Sequence, residues 1–235
     1  AANLVTGIAT AYTDSVPLVC ITGQVANPYI GKDSFQEADI FGITTPITKH
    51  NYLVKNVEDL PRVLKEAFFI ARTGRPGPVV IDVAKDVFDT RFDYNYPEEV
   101  HLRGYSGEYI GNETEIDAVV EALQTAKKPL FFVGGGIVSS NTSELVRKIV
   151  RSLGVPVTST LLGLGVIPAD EKGFLGFAGM HGSYAANMSI QECDLLICVG
   201  MRFSDRVTGR VSGFAPKAKI VHFELDEAEV GKNVA

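Results

Sequence analysis

The sequence predicts an α/β protein made of two parallel-sheet domains. Three observations carry this: short unalternating apolar runs at 79–83, 129–133 and 195–199, apolar residues at helical spacing between such runs, and turn-rich stretches separating the two. An apolar run without alternation marks a strand covered on both faces by helices. Strands alternating with helices imply a parallel, doubly wound sheet. The 235 residues suit one or two domains of roughly 100–150 residues.

Leu4, Val5, Ile8 and Ala11 share a helical face, so 1–13 is predicted as a helix that stops before Asp14-Ser15. Residues 16–22 form an apolar run expected as a strand buried on both faces. A loop rich in Gly, Asn and Pro extends to about Ser34, followed by a short helix over 35–40. Val57, Leu60, Val63, Leu64, Ala67 and Ile70 lie on one side of an amphipathic helix over 57–71. Thr73-Gly74-Arg75-Pro76-Gly77-Pro78 breaks it, and 79–83 is the next strand. From 92 to 112, tyrosines, charges, Pro97 and glycines show no apolar period, which predicts an extended linker wrapping the surface. A second series follows: helix 114–126, strand 129–133, helix 143–153, strand 155–159, strands 195–199 and 220–225, and a helix beginning at 227–234. The predicted organisation is a first domain over 1–91, a linker over 92–112 and a second domain over 113–235.

Composition narrows the function. The net charge is −6 and Lys and Arg are scattered, so no basic stripe points to nucleic acid. The longest apolar runs fall well short of the ~20 residues of a membrane span. Cys193 and Cys198 are predicted on one strand, roughly 16 Å apart when extended and beyond disulfide reach. With Cys20 they are expected as buried small hydrophobes, which suits a reducing cytosol. The four histidines show no metal-ligand spacing. Ala1 is no initiator, and both ends are expected to be cuts.

Several stretches could carry chemistry. Gly134-Gly135-Gly136 directly follows a strand and precedes a helix, where backbone amides can approach a phosphate; a tight turn explains the run equally well. Glu224-Leu225-Asp226 ends a strand where ribose hydroxyls are held in dinucleotide folds, or else is a polar strand end capping the helix that starts at Glu227. Gly200-Met201-Arg202-Phe203-Ser204-Asp205-Arg206-Val207 offers arginine forks for pyrophosphate and an aromatic to flank a ring, against a surface salt-bridge cluster. Thr158-Ser159-Thr160-Leu161-Leu162-Gly163 and Gly179-Met180-His181-Gly182 likewise flank strands, with His181 readable as a capping or core histidine. Five such segments are expected on one sheet edge, forming one crevice for a nucleotide cofactor. In the first domain, Ser34 and Glu37 fit a capping box and Lys85 a solvated lysine. Gly-x-Ser-x-Gly, Walker and zinc patterns are absent.

These residues resemble the acetohydroxyacid synthases (acetolactate synthases), large catalytic subunit, FAD-containing biosynthetic type. The resemblance spans the chain and rests on Asn3 to Tyr12 with Asp14-Ser15-Val16-Pro17, on Ile21-Thr22-Gly23-Gln24-Val25, on Phe35-Gln36-Glu37-Ala38-Asp39, on Gly74-Arg75-Pro76-Gly77-Pro78-Val79, and on Arg202-Phe203-Ser204-Asp205-Arg206-Val207-Thr208-Gly209. It implies the C-terminal part of a thiamine-diphosphate pyrimidine-binding domain followed by a Rossmann-like FAD-binding middle domain. The implied reaction joins pyruvate, with loss of CO₂, to pyruvate or 2-oxobutyrate, with thiamine diphosphate as electron sink. Phe35 and Gln36 would line the substrate pocket, and Lys85 its access edge. Arg75, Gly134, Gly135, Gly136, Thr158, Ser159, Thr160, Leu161, Leu162, Gly179, Met180, His181, Gly182, Gly200, Arg202, Asp205, Arg206, Val207, Glu224 and Leu225 would contact a FAD with no redox role.

The implied Mg²⁺ ligands and the activating glutamate fall outside these residues, so the chain by itself is expected to be inactive. A homodimer or tetramer, a regulatory small subunit and a cytoplasmic location are also implied. Three positions depart from the family pattern: Ser204 stands in place of an acid, Ala84 precedes Lys85 in place of proline, and Glu224 replaces aspartate. Rival readings are another thiamine-diphosphate carboligase, a pyruvate oxidase, a flavin- or NAD-linked oxidoreductase, or a binding module without catalysis.

Overall fold

A computed structural model describes residues 1–105, 107 and 109–234. Ser106 and Glu108 of the predicted linker, and Ala235 at the end of the predicted second domain, lie outside the described residues. The chain divides into two compact units, Ala1–Tyr109 and Ile110–Ala235.

The first unit holds a three-stranded parallel sheet of β1 (Leu18–Gln24), β2 (His50–Val54) and β3 (Pro78–Ala84), in the order β1-β3-β2. Every residue of β3 is buried, as its apolar run predicts. β1 corrects the expectation. It starts two residues later than predicted and is an edge strand, with Ile21 54% exposed, so it is not covered on both faces. Apolar content alone does not tell a central strand from an edge. β2 escaped the sequence reading because its apolar stretch is only Tyr52-Leu53-Val54.

Helices α1 (Val5–Thr13) and α3 (Leu60–Arg72) occur as expected, α3 after a 3₁₀ turn at Val57–Asp59 and with Pro61 in its first turn. Proline is tolerated there because that N–H has no helical acceptor. The helix expected over 35–40 is absent. Gln36 adopts φ +61°, which a helix excludes, and α2 (Ile40–Thr44) starts only after Asp39, whose Oδ1 accepts the Gly42 N–H at 2.9 Å. α4 (Lys85–Phe88) follows β3 directly. Residues 92–105 run without regular structure in this unit, with Phe92 and Leu102 packed on its core and the Tyr105 hydroxyl bonded to Thr73 O at 2.9 Å.

The second unit is a five-stranded parallel sheet of β4 (Pro129–Val133), β5 (Val157–Ser159), β6 (Phe174–Phe177), β7 (Leu195–Val199) and β8 (Lys219–Phe223), in the order β6-β5-β4-β7-β8. The chain steps outward from β4 on one side and then returns to start again with β7. That reversal marks the point where open α/β sheets hold ligands. Helices α5 (Glu113–Thr125), α6 (Gly135–Ser139), α7 (Ser143–Leu153), α8 (Tyr184–Glu192) and α9 (Asp205–Thr208) connect or flank the strands. Asn112 caps α5, and Gly154, at φ +63°, terminates α7 by donating its N–H to Val150 O.

β6 and α8 went unpredicted, since β6 is short and α8 mixes small and polar residues. Cys193 is not on a strand as expected: it is buried at the C-cap of α8, whereas Cys198 is buried in β7 and Cys20 is half-buried. The expected helix over 227–234 is a single 3₁₀ turn at Glu227–Glu229, ended by Gly231 at φ +69°. At the N-terminal edge of this sheet, Asp194 accepts the N–H groups of Lys127 and Lys128 through its carboxylate (2.8 and 2.9 Å). It accepts that of Lys219 through its carbonyl (2.9 Å).

Candidate functional site

In the second unit the five segments singled out in the sequence lie at the C-terminal ends of its parallel strands, Thr158 and Ser159 within β5 and the rest beyond the strands, and backbone bonds tie neighbouring segments together. The Gly134 N–H donates to Val199 O (2.9 Å) and Gly136 N–H to Gly200 O (2.8 Å). Thr160 N–H donates to Val133 O (2.9 Å), Ala178 N–H to Ser159 O (2.8 Å), and Met180 N–H to Arg206 O (2.9 Å). The glycines are needed for this closeness. A Cβ on Gly134 would sit 2.3 Å from Gly200 O, and one on Gly136 2.8 Å from Gly200 Cα. Gly163 and Gly179 are equally confined, against Val133 O (2.5 Å) and Arg206 O (2.6 Å). Close loop packing therefore accounts for glycine at 134 and 136, whose amides already have carbonyl acceptors.

Side chains complete this edge. Thr160 Oγ1 accepts the Gly163 N–H (3.1 Å), and Thr158 Oγ1 donates to Gly176 O (2.8 Å). Ser159 is fully buried and its hydroxyl has no hydrogen-bond partner. His181 is exposed, so it is not a core histidine. Leu161 and Leu162 are exposed apolar side chains. Asp205 and Arg206 open α9 to solvent, with Arg206 Nε 3.9 Å from Asp205. Arg206 Nη1 lies 3.8 Å from Met180 Sδ. Gly179, Met180, Asp205, Arg206 and Val207 line one cavity of about 330 Å³, together with Met188 and Phe214. Gly134, Gly135, Gly136, Gly200, Arg202 and Glu224 are not among its lining residues. Glu224 is largely buried and its Oε1 accepts the N–H groups of Leu225 (2.9 Å) and Asp226 (3.3 Å), while the cap of the 227–229 turn is Asp226, which accepts the Ala228 N–H (3.1 Å).

Two residues missed by the sequence reading also shape this edge. Asn187 on α8 holds Gly179 by both backbone groups, accepting from its N–H (2.9 Å) and donating to its carbonyl (3.1 Å). His222 Nε2 lies 2.8 Å from Met201 O. A carbonyl only accepts, so Nε2 carries the hydrogen and Nδ1 is left buried without a partner. A polar residue inside a helix and a lone histidine in a strand carry no periodic signal that would have singled them out.

In the first unit, Phe35 and Gln36 lie in the loop between β1 and α2, which Gln24 at the C-terminal end of β1 holds at Ala38 O (2.7 Å), and Lys85 opens α4 directly after β3. Phe35 is 89% exposed. Arg75 lies before β3, at the end opposite Lys85, where its Nε donates to Ser15 Oγ (2.9 Å). The capping box expected at Ser34 and Glu37 forms in part without a helix: the Glu37 carboxylate accepts the Ser34 N–H at 3.0 Å. Beneath the turn, buried Asp82 accepts from Thr22 Oγ1 (2.7 Å) and Gln24 Nε2 (3.0 Å), and Asp86 accepts from the Asn27 N–H (3.1 Å).

Residues 116–235 match the family described as thiamine pyrophosphate enzyme, central domain, and residues 1–43 match the thiamine pyrophosphate enzyme N-terminal TPP binding domain. Over its whole length the chain is 48% identical to the acetolactate synthase large subunit of Haemophilus influenzae, covering 41% of that protein. It is 48% identical to the probable acetolactate synthase large subunit of Methanocaldococcus jannaschii, covering 40%. Against acetolactate synthase isozyme 3 large subunit of Escherichia coli the values are 44% and 41%. The chain thus spans about two fifths of the length of these relatives.

Proposed function

The chain belongs to the thiamine pyrophosphate enzymes, and from that premise we propose that it is part of an acetohydroxyacid synthase large subunit. The enzyme would condense pyruvate with pyruvate or 2-oxobutyrate, releasing CO₂ and forming acetolactate or acetohydroxybutyrate. The observation that carries this reading is the 44–48% identity to acetolactate synthase large subunits along the entire chain. The corresponding domains would be 1–91 for thiamine, 92–112 as linker and 113–235 for FAD.

When bound, thiamine diphosphate supplies the electron sink for loss of CO₂. The residues of this chain orient and neutralise. Phe35 offers an apolar wall and Gln36 an amide in the loop after β1, and Lys85 presents a cation after β3 for a 2-oxoacid carboxylate. The second unit fits a flavin nucleotide in one respect: Arg202 and Arg206 follow β7 at the sheet's reversal point, where they can meet a pyrophosphate, whereas the Gly134 and Gly136 amides are already bonded to carbonyls. Among the described residues no group of three or more His, Cys, Asp or Glu could hold a metal ion. The Mg²⁺ of this proposal would take its ligands from residues outside this sequence. No helix among the described residues is long and apolar enough to cross a membrane. We place the enzyme in the cytoplasm as a homodimer or tetramer with a regulatory small subunit, since the relatives are named as large subunits.

The test is the assembled enzyme incubated with pyruvate, thiamine diphosphate, Mg²⁺ and FAD. Acetolactate is expected, with bound flavin absorbance unchanged during turnover. Acetate and peroxide would assign a pyruvate oxidase instead, and flavin bleaching at the catalytic rate would assign an oxidoreductase.

A further inference from the structure

The turn that carries Phe35 and Gln36 is an improbable one for its sequence. Gly31, Asp33 and Gln36 all adopt positive φ (+77°, +53° and +61°), and two of these are not glycine. Such backbone persists only where surrounding contacts over-determine it. Two sets of contacts do so here. From inside the turn, the Glu37 carboxylate accepts the N–H groups of Gly31, Lys32 (3.3 Å) and Ser34 (3.0 Å), and the Glu37 N–H returns to Ser34 O (2.9 Å). From below, Gln24 at the end of β1 donates to Ala38 O (2.7 Å) and to buried Asp82 of β3 (3.0 Å). The backbone donors, Gly31 first and Ser34 next, also hold the Glu37 carboxyl below the usual carboxylate range.

Building on the function proposed above, we infer that Glu37 is a positioning residue: it folds the 31–37 turn around its own carboxylate so that Phe35 and Gln36 face the substrate, while Gln24 and Asp82 anchor that turn to the sheet. Glu37 makes no contact with substrate in this role. It acts through its two neighbours. A misplacement of about 1 Å at such a turn can reduce turnover by about a hundredfold without touching the chemistry.

Two readouts on the assembled enzyme test this. In Glu37→Ala, amide hydrogen exchange across 31–37 should accelerate markedly, and in Glu37→Gln by less, because the amide oxygen can still accept. Acetolactate formation in Glu37→Ala should fall about 10- to 100-fold in kcat/KM, with partial rescue in Glu37→Gln. In the double variant Glu37→Ala/Gln36→Ala the losses should be less than additive, since the share of the Glu37 effect that passes through Gln36 is already gone while the share through Phe35 remains. Unchanged exchange would overturn the organising role of Glu37, whatever the kinetics. Accelerated exchange with full kcat/KM would instead show that Phe35 and Gln36 are away from the substrate, removing the positioning role together with that part of the proposed function. Strictly additive losses would overturn the link between Glu37 and Gln36.

Discussion

The two sheet edges are held by opposite means. In the second unit, backbone meets backbone: Gly134, Gly136, Gly163 and Gly200 let the loops after β4, β5 and β7 approach to distances that admit no side chain. In the first unit, side chains hold the backbone: Asp82, Gln24, Glu37 and Asp86 bond the turn after β1 to the sheet and to itself. The contrast teaches where each edge is fragile. The glycine edge fails when an atom is added, and the carboxylate edge fails when one is removed or protonated.

Substitutions sharpen that contrast, and the largest effect belongs to the glycine edge. Gly134→Ala puts a methyl 2.3 Å from Gly200 O and 2.4 Å from Met201 Cβ, where neighbouring backbone must shift. A loss of about 3 kcal/mol is expected, measured as a drop in the denaturant midpoint. A midpoint equal to the parent's would mean that the loops separate easily.

Asp82→Ala is next. It leaves the buried Thr22 hydroxyl without its acceptor and takes from half-buried Gln24 one of its two acceptors, at a cost of about 2 kcal/mol. The same unfolding measurement would show no change if the network were dispensable.

Acid should separate the edges without any mutation. The folded Glu37 carboxyl titrates below its ordinary value. Its contribution is therefore complete above the ordinary glutamate pKa of about 4.3 and is lost as pH falls through the lowered one. Amide resonances of Gly31 and Ser34 should move over that acid range, whereas those of Gly134 and Gly136, bonded to carbonyls, should not. Equal movement at both edges would erase the distinction.

The smallest effect is expected at Gly23 of β1. A Cβ there meets nothing within 4 Å, so Gly23→Ala should change stability by no more than about 0.5 kcal/mol.

Legibility in the sequence followed the same physics. β3, β4 and β7 could be read directly because central strands must be apolar on both faces. β1 looked identical in composition yet sits at an edge, and β2 and β6 were too short or too mixed to register. The five segments could be assigned to one sheet edge because strand ends in a parallel sheet point one way, although the cavity described there takes residues from only two of them. What escaped were bonds from side chain to distant backbone. Gln24 to Ala38, Asn187 to Gly179 and His222 to Met201 connect residues with no common period, and only the folded chain brings them within reach.

Asp194 gives the second sheet a fixed floor. By gripping the chain just ahead of β4 and the first residue of β8, while standing immediately before β7, it aligns three neighbouring strands from the end opposite the glycine-rich loops. Sequence drift among those loops can then proceed without letting the strands slide past one another, so the loops can vary on a frame whose alignment is set elsewhere.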